Sequence, residues 1–317
     1  MDLWYSKKAP RFETKKSKSL LHPFIVKEYE GLTVNPYQGC HHRCGYCYAT
    51  YEWSPDFYDK IYAKSNASQI LENQLKSWKS RTIDPVMISS ATDPYQPAEL
   101  KYGITRKCIQ ILQKYGVPYY IFTKSTIIKR DLRLHKQYSN NCFIVWSITT
   151  CNEKIRRTIE PGTPPASVMF EVIKKFTDSG ILCGVNIDPI IPLITDSPNS
   201  IELILDSIHN VGVRYVFGTV LRLRRDIWER MKIILKLLNR EDGFDEYKRI
   251  FKFDEPITQD HNIAANPSYS SKIIENLREG ALNRGMIFDF PDLVGSRYLK
   301  TNKAFDNTNQ PTLTSYM

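Results

Sequence analysis

Six short apolar runs, each followed by a segment with helical apolar spacing, set the range of folds open to this chain of 317 residues. The runs are Leu32–Val34, Val86–Ser90, Tyr119–Thr123, Phe143–Ile148, Leu182–Ile187 and Tyr215–Val220. After them come faces spaced three and four residues apart: Leu71, Leu75 and Trp78; Cys108, Ile111, Leu112 and Tyr115; Ile128, Leu132, Leu134 and Tyr138; Met169, Val172, Ile173 and Phe176; Ile201, Ile204, Leu205, Ile208 and Val211. Apolar strands alternating with amphipathic helices build a parallel sheet with crossover helices. The expected fold class is therefore α/β, a partial (β/α)6 TIM-like barrel.

Beyond Arg222 the pattern changes. Trp228, Met231, Ile234, Leu235 and Leu238 mark one further helix, and Ile273, Ile274, Leu277 and Leu282 another. The expected organisation is a basic arm over 1–30, the barrel core over 31–222, a helical C-terminal extension over 223–299 and a polar, disordered tail over 300–317. Residues 251–271, rich in Pro, Asn and Asp, are expected to loop over the open side of the barrel. A hydrophobic fraction of 42% and a charged fraction of 25% are those of an ordinary globular protein. No apolar run approaches the ~18 residues of a membrane span, and the N-terminus lacks a secretory apolar core. Seven cysteines, an odd number with three in one loop, fit a reducing compartment better than a disulfide framework. A cytoplasmic protein with no membrane partner is expected.

Lys and Arg number 44 against 34 Asp and Glu, a net charge of +10 that favours a polyanionic partner. Lys7, Lys8, Arg11, Lys15, Lys16 and Lys18 crowd the first twenty residues, as a nucleic-acid-binding arm or as a solvated leader. A second set, Arg222, Arg224, Arg225, Arg230 and Lys232, reads either as a helix surface or as the rim of a pocket.

Cys40, Cys44 and Cys47 lie in the stretch Asn35-Pro36-Tyr37-Gln38-Gly39-Cys40-His41-His42-Arg43-Cys44-Gly45-Tyr46-Cys47-Tyr48-Ala49. Three thiolates this close can hold a cluster but leave one of four irons open, whereas structural zinc and electron-transfer clusters are closed by four ligands. A zinc knuckle would have to close its tetrahedron with His41 or His42 from inside the same tight loop. In parallel β/α folds chemistry collects at the carboxyl ends of the strands. Polar residues cluster there: Ser89, Ser90, Thr92 and Asp93; Thr123, Lys124 and Ser125; Ser147, Thr149 and Thr150; Asn186 and Asp188; Arg222. Each is also an ordinary cap or turn residue.

The cysteine spacing of three residues then two, with Tyr46 before the last, resembles the signature of the radical S-adenosylmethionine superfamily. Further blocks narrow the likeness: Lys64-x-Asn66-Ala67, Thr92-Asp93-Pro94-Tyr95-Gln96-Pro97-x-Glu99, Thr123-Lys124-Ser125 with Arg130-Asp131, Ser147-Ile148-Thr149-Thr150, and Arg156-Arg157-x-x-Glu160-Pro161. From about Gly31 to Arg222 the chain resembles the subgroup related to spore photoproduct lyase, labelled DNA repair photolyase. The resemblance implies a [4Fe–4S] cluster on Cys40, Cys44 and Cys47, with S-adenosylmethionine on the open iron. It implies adenine against the backbone near Tyr46, and cofactor contacts from Ser89, Ser90, Thr92, Asp93 and Ser147. Lys124 is implied as a partner of the cofactor carboxylate or a phosphate, with a salt bridge to Asp93 or Asp131 as its other reading. Arg156, Arg157 and Glu160 read as a surface helix start.

The activity implied is reductive cleavage of S-adenosylmethionine to a 5′-deoxyadenosyl radical that abstracts hydrogen from a substrate. A reductase or a ferredoxin- or flavodoxin-type protein is the implied electron donor, and a nucleic acid base the first-guess substrate. Two alternatives stand beside it: a cluster-containing nucleic-acid-binding or redox-sensing protein without cofactor cleavage, and a radical enzyme acting on a peptide or small metabolite. Photoproduct repair also calls for a hydrogen donor to quench the product radical. The region around Ser90-Ala91-Thr92 has no cysteine, which leaves Cys151 as the candidate, with simple packing as the alternative. Cys108, Cys142 and Cys183 read as core residues.

Overall fold

The computed structural model describes residues 9–26, 29–50, 56–79, 83–257 and 262–291. Its strands are β1 (Arg11–Lys15), β2 (Leu21–Val26), β3 (Tyr29–Val34), β4 (Tyr37–Gln38), β5 (Lys60–Lys64), β6 (Val86–Ile88), β7 (Tyr119–Thr123), β8 (Cys142–Ser147), β9 (Cys183–Ile190), β10 (Tyr215–Val220), β11 (Arg222–Leu223) and β12 (Ile263–Ala264). Its helices are α1 (Ala67–Lys76), α2 (Ala98–Tyr102), α3 (Ile104–Lys114), α4 (Leu132–Lys136), α5 (Glu153–Ile159), α6 (Ala166–Thr177), α7 (Pro198–Asn210), α8 (Arg225–Leu237), α9 (Phe244–Phe251) and α10 (Pro267–Asn283).

The main sheet runs β10-β9-β8-β7-β6-β3-β2. Its six strands from β3 to β10 are mutually parallel and lie in chain order, with β2 added antiparallel at the β3 edge. This is the expected partial (β/α)6 barrel. The six apolar runs all became strands, with ends shifted by a few residues.

Alternation along the strands divides two apolar layers. Val86, Ile88, Ile121, Ile144, Trp146, Val185 and Val216 belong to the large cluster that includes the buried faces of α1, α3, α6 and α7. The opposite set, Tyr120, Phe143, Val145 and Phe217, forms a separate cluster on the concave side. Phe290, after α10, inserts into it with ring centroids 4.9 Å from Tyr120 and Phe143 and 5.3 Å from Phe217. An aromatic plug therefore fills one end of the lumen. On β8 the same inward face continues from Phe143 and Val145 to Ser147, and Ser147 is paired in register with Asn186. The lumen turns polar toward the carboxyl ends of the strands.

Several expectations change. The N-terminal arm is built into the fold over its described part: β1 pairs with β5 in a small three-stranded sheet, and β2 pairs with β3. Lys7 and Lys8 lie outside the described residues, as does the 300–317 tail. The face Ile128–Tyr138 is a 3-10 turn over Ile127–Asp131 followed by the five residues of α4. Part of the 251–271 loop pairs, through β12, with β11.

Replacing Phe290 with Ala removes the central ring of the plug. Chemical denaturation is expected to report a loss of about 3–5 kcal/mol. A loss below about 1 kcal/mol would show that this aromatic cluster does not form in solution.

Candidate metal and cofactor centre

The cysteine loop leaves β4 and has almost no regular structure, so its buried backbone groups need partners from elsewhere. They find them on four other segments of the chain. The side-chain amide of Gln96 brackets Cys40: its Nε2 donates to Gly39 O at 3.0 Å and its Oε1 accepts from His41 N at 3.1 Å. Gly162 N donates to His42 O at 3.0 Å, and Gly45 N donates to Ile159 O at 2.8 Å. The Tyr58 hydroxyl donates to Cys44 O at 2.8 Å. From α8, Arg230 donates to Gly45 O at 2.6 Å and to Cys47 O at 3.0 Å. Arg224 donates to Tyr48 O at 2.8 Å.

Two glycines permit this close packing. A Cβ on Gly39, whose φ is +83°, would lie 2.2 Å from Lys60 O. One on Gly162 would lie 2.3 Å from His41 O. Both contacts are with backbone, which cannot swing aside as a side chain can.

Behind the loop His42 and Asp93 form a buried ion pair, Nε2 to Oδ2 at 2.9 Å, and Nδ1 of the same ring faces Gly162 O at 3.1 Å. With an acceptor at each nitrogen, the ring is held as imidazolium. Burial works against that charge, but Asp93 outweighs it and holds the His42 pKa above its ordinary value. Asp93 in turn accepts from Thr123 Oγ1 at 2.8 Å, Lys124 N at 2.7 Å and Tyr95 N at 2.8 Å. Burial raises its pKa, yet His42 and these donors bring it below the usual carboxylate value. The carboxylate expected to meet the cofactor is thus committed to the back of the loop.

Lys124 also departs from expectation. Its ammonium pairs with Glu160 at 3.0 Å, not with Asp93 or Asp131, and lies 3.2 Å from Ser147 O. Glu160 is 1% exposed and also accepts from the Tyr46 hydroxyl and from Thr149 Oγ1. The Lys124 ammonium sits 5.5 Å from the centre of the Tyr46 ring. Burial opposes both charges of the pair, but mutual attraction prevails: Lys124 is raised and Glu160 lowered. The charged turn expected at the surface is therefore mostly interior. Arg156 is buried against the Thr163 and Glu160 carbonyls, and Arg157 alone of the three is exposed.

Around the mouth several polar atoms are buried without a hydrogen-bond partner among the described residues: Asn35 Oδ1, Ser89 Oγ, Thr92 Oγ1 and Asn186 Oδ1. Ser89 holds a left-handed backbone, φ +66°, immediately after β6, a conformation costing about 1 kcal/mol or more for a side chain of this kind. Ser90 Oγ accepts from Asn35 Nδ2 at 3.3 Å. Orphaned polar atoms are rare in folded proteins; the Tyr138 hydroxyl and Trp146 Nε1 are orphaned in the outer layer, and the four here group near strand ends. Cys151 points elsewhere: its thiol lies 3.8 Å from Ser207 Oγ on the outer helix α7, a placement that argues against a hydrogen-donor role.

Cys44 is buried and Cys40 and Cys47 are partly buried; desolvation pushes Cys40 up to about 12 and raises Cys44 and Cys47 as well. Iron would have to displace those protons on binding. No three His, Cys, Asp or Glu side chains among the described residues converge as a single metal ion requires. A four-iron cluster makes no such demand, because each thiolate binds a different iron. His42, with both nitrogens engaged, is not available to complete a zinc site. Three thiols, a ring of unsatisfied polar atoms and a dry aromatic floor fit a cluster that takes S-adenosylmethionine as its remaining ligand.

Residues 34–208 match the Radical SAM superfamily, more than half of the chain. The chain belongs to the radical SAM superfamily. The cofactors of this family are a [4Fe–4S] cluster and S-adenosylmethionine. An uncharacterized protein of Mycobacterium tuberculosis is 32% identical over 203 residues, covering 60% of this chain and 59% of the relative. An uncharacterized protein of Acidianus two-tailed virus is 29% identical over 234 residues, 64% of this chain and 74% of its own. A radical SAM Nalpha-GlyT isomerase of Pseudomonas phage M6 is 23% identical over 193 residues, 59% of this chain and 38% of the isomerase. The match to the mycobacterial relatives thus spans about three fifths of their length. Among solved structures, a spore photoproduct lyase variant with bound AdoMet and dinucleoside spore photoproduct superposes with a TM-score of 0.66 at 12% identity, over 87% of this chain and 82% of that one. At that identity the likeness is one of fold.

Sequence reasoning missed Arg224 and Arg230 as partners of the loop, because about 180 residues separate them from it. It underrated Glu160, whose signal was its place within a matching block. A double-mutant cycle with Lys124→Met and Glu160→Leu tests the pair. Each single change strands a buried charge and is expected to cost about 3–5 kcal/mol, with the double change costing well below their sum. Strict additivity in denaturant titrations would show the two side chains are not coupled.

Proposed function

We propose that this protein is a radical SAM enzyme whose cluster is held by Cys40, Cys44 and Cys47 and whose substrate is a nucleic acid base or nucleotide. When bound, the cluster and S-adenosylmethionine supply one-electron cleavage of the sulfonium, giving methionine and a 5′-deoxyadenosyl radical able to abstract hydrogen. The protein's part is to bind, orient and exclude water. Ser89, Ser90, Thr92 and Ser147 offer hydrogen bonds at the strand ends, and backbone near Tyr46 lines the adenine side. Lys124, already beside Ser147 O and Glu160, contributes a fixed positive charge, while Asp93 positions the loop through His42. The observation that carries this reading is the coincidence, at one end of the barrel, of an incomplete thiolate set with orphaned polar atoms on neighbouring strand ends.

The nucleic acid part draws support from the net charge of +10 and from the fold shared with spore photoproduct lyase, whose structures hold a dinucleoside photoproduct. A peptide or small metabolite is the second reading of the substrate. Lyase chemistry like that of spore photoproduct lyase is the less favoured outcome, since Cys151 faces α7. Reduction calls for an external donor, a ferredoxin- or flavodoxin-type protein or a reductase. Among the described residues no helix is long and apolar enough to cross a membrane, and the thiol-rich loop suits the reducing cytoplasm.

Anaerobic reconstitution with iron and sulfide, followed by reduction in the presence of S-adenosylmethionine, is expected to yield 5′-deoxyadenosine, and Cys44→Ala to abolish it. Cluster absorption with salt-dependent DNA binding but no deoxyadenosine would favour a binding or sensing protein instead. Stimulation of turnover by oligonucleotides, and not by peptides, is the result that selects the first substrate class.

A further inference from the structure

Arg224 and α8 lie beyond the stretch matching the superfamily, yet they reach back to the cysteine loop, Arg224 with one hydrogen bond to its backbone and Arg230 with two. The contact set is specific. Arg230 Nε donates to Gly45 O at 2.6 Å, and its Nη2 to Cys47 O at 3.0 Å and to Thr50 Oγ1 at 3.2 Å. Arg224 donates to Tyr48 O at 2.8 Å. Asp226 sits between them, 3.0 Å from Arg224 Nε and 3.1 Å from Arg230 Nη2, and accepts from Thr50 Oγ1 at 2.8 Å. Asp226 and Arg230 are four residues apart and share one face of the helix. Both guanidiniums are buried, at 6% exposure.

We propose that Arg230 is a positioning residue for the iron–sulfur cluster: it fixes the Gly45–Cys47 backbone, and its buried charge, partly offset by Asp226, raises the cluster's reduction potential. The inference rests on assigning the cluster to Cys40, Cys44 and Cys47. Adding an electron makes the cluster more negative. A buried cation one peptide group from a ligating cysteine stabilises that reduced state, and it does so through a medium that screens poorly. Cluster potentials respond to nearby charge, to hydrogen bonding and to solvent exposure, and partners beyond the ligands are what tune them. The sign of the effect follows. Removing Arg230 should make the cluster harder to reduce, and neutralising Asp226 should make it easier.

The experiment is a redox titration of the full reconstituted chain, followed by electron paramagnetic resonance without S-adenosylmethionine or substrate, with iron content measured alongside. The expected order of midpoint potentials is Arg230→Gln lowest, the unaltered protein and Arg230→Lys together, and Asp226→Asn highest. Equal potentials for Arg230→Gln and the unaltered protein at equal iron content would overturn the proposal. So would Arg230→Lys shifting as far as Arg230→Gln, since geometry and not charge would then be responsible. If Arg230→Gln fails to hold iron, Asp226→Asn decides: a potential that does not rise sinks the electrostatic role. An unaltered protein that binds no cluster at all would instead remove the cluster assignment, a result distinct from an intact cluster with unshifted potentials.

Discussion

The segment that carries the three thiols is neither α-helix nor strand, and the rest of this structure is organised around that constraint. Each carbonyl left without a partner in such a buried loop costs about 1–3 kcal/mol. The loop carbonyls of Gly39, His42, Cys44, Gly45, Cys47 and Tyr48 all have donors, supplied by Gln96, Gly162, Tyr58, Arg230 and Arg224. Those donors come from the turn before α2, the turn after α5, the loop before β5, and α8 with the residue preceding it. Parallel β/α topology makes this economical, because loops at the carboxyl ends of successive strands converge on the same place. The cysteine loop is thus a product of the whole barrel rather than of its own sequence.

Three buried charge groups lie around it: His42 with Asp93, Lys124 with Glu160, and Arg224 and Arg230 with Asp226. Buried ion pairs contribute little net stability compared with apolar packing, and their retention is better explained by the geometry they impose. Each group here ties a different part of the loop to a different element. His42 is fastened to the turn after β6 and, through Asp93, to the end of β7. Tyr46 is fastened through Glu160 to Lys124 and Thr149, at the ends of β7 and β8. The last cysteine of the loop, Cys47, is fastened to α8. A loop held at three points by directional, charge-assisted bonds keeps one arrangement of its thiols where an apolar contact would permit several.

The fold was legible because its signal is periodic. Strand runs such as Tyr119–Thr123 and Tyr215–Val220 need only alternate burial and β-branched or aromatic residues to be read, and local pattern specifies both. The cysteine motif is equally local, since its three thiols sit within eight residues of one another. What was not legible is every contact set by tertiary position. Asp93, expected at the cofactor, instead turns toward His42, because a strand-end carboxylate has two faces open to it and sequence does not choose between them. Lys124 found Glu160 rather than Asp131 because α5 brings the following turn over the sheet, a placement no spacing rule encodes. Near the N-terminus, a cluster of lysines read as an unstructured arm, yet the intervening residues Phe12, Leu20 and Leu21 pack into the core and carry the segment with them. Charge density alone was a poor guide where apolar residues were threaded through it.

The same division separates generic chemistry from specific function. The residues that mark the superfamily lie at the loop and the first strand ends, where the cofactor must be held in much the same way whatever the substrate. The rest of the lumen has a floor set by Phe290 against Tyr120, Phe143 and Phe217 and an upper tier that carries Asn186 and Asp188. Phe290 and the α8 clamp both come from the extension after the sixth strand. One end of that extension fills the lumen floor, and the other grips the cysteine loop. A chain segment that touches both the floor and the loop ties lumen shape to loop geometry, and it does so from outside residues 34–208, the stretch that matches the superfamily.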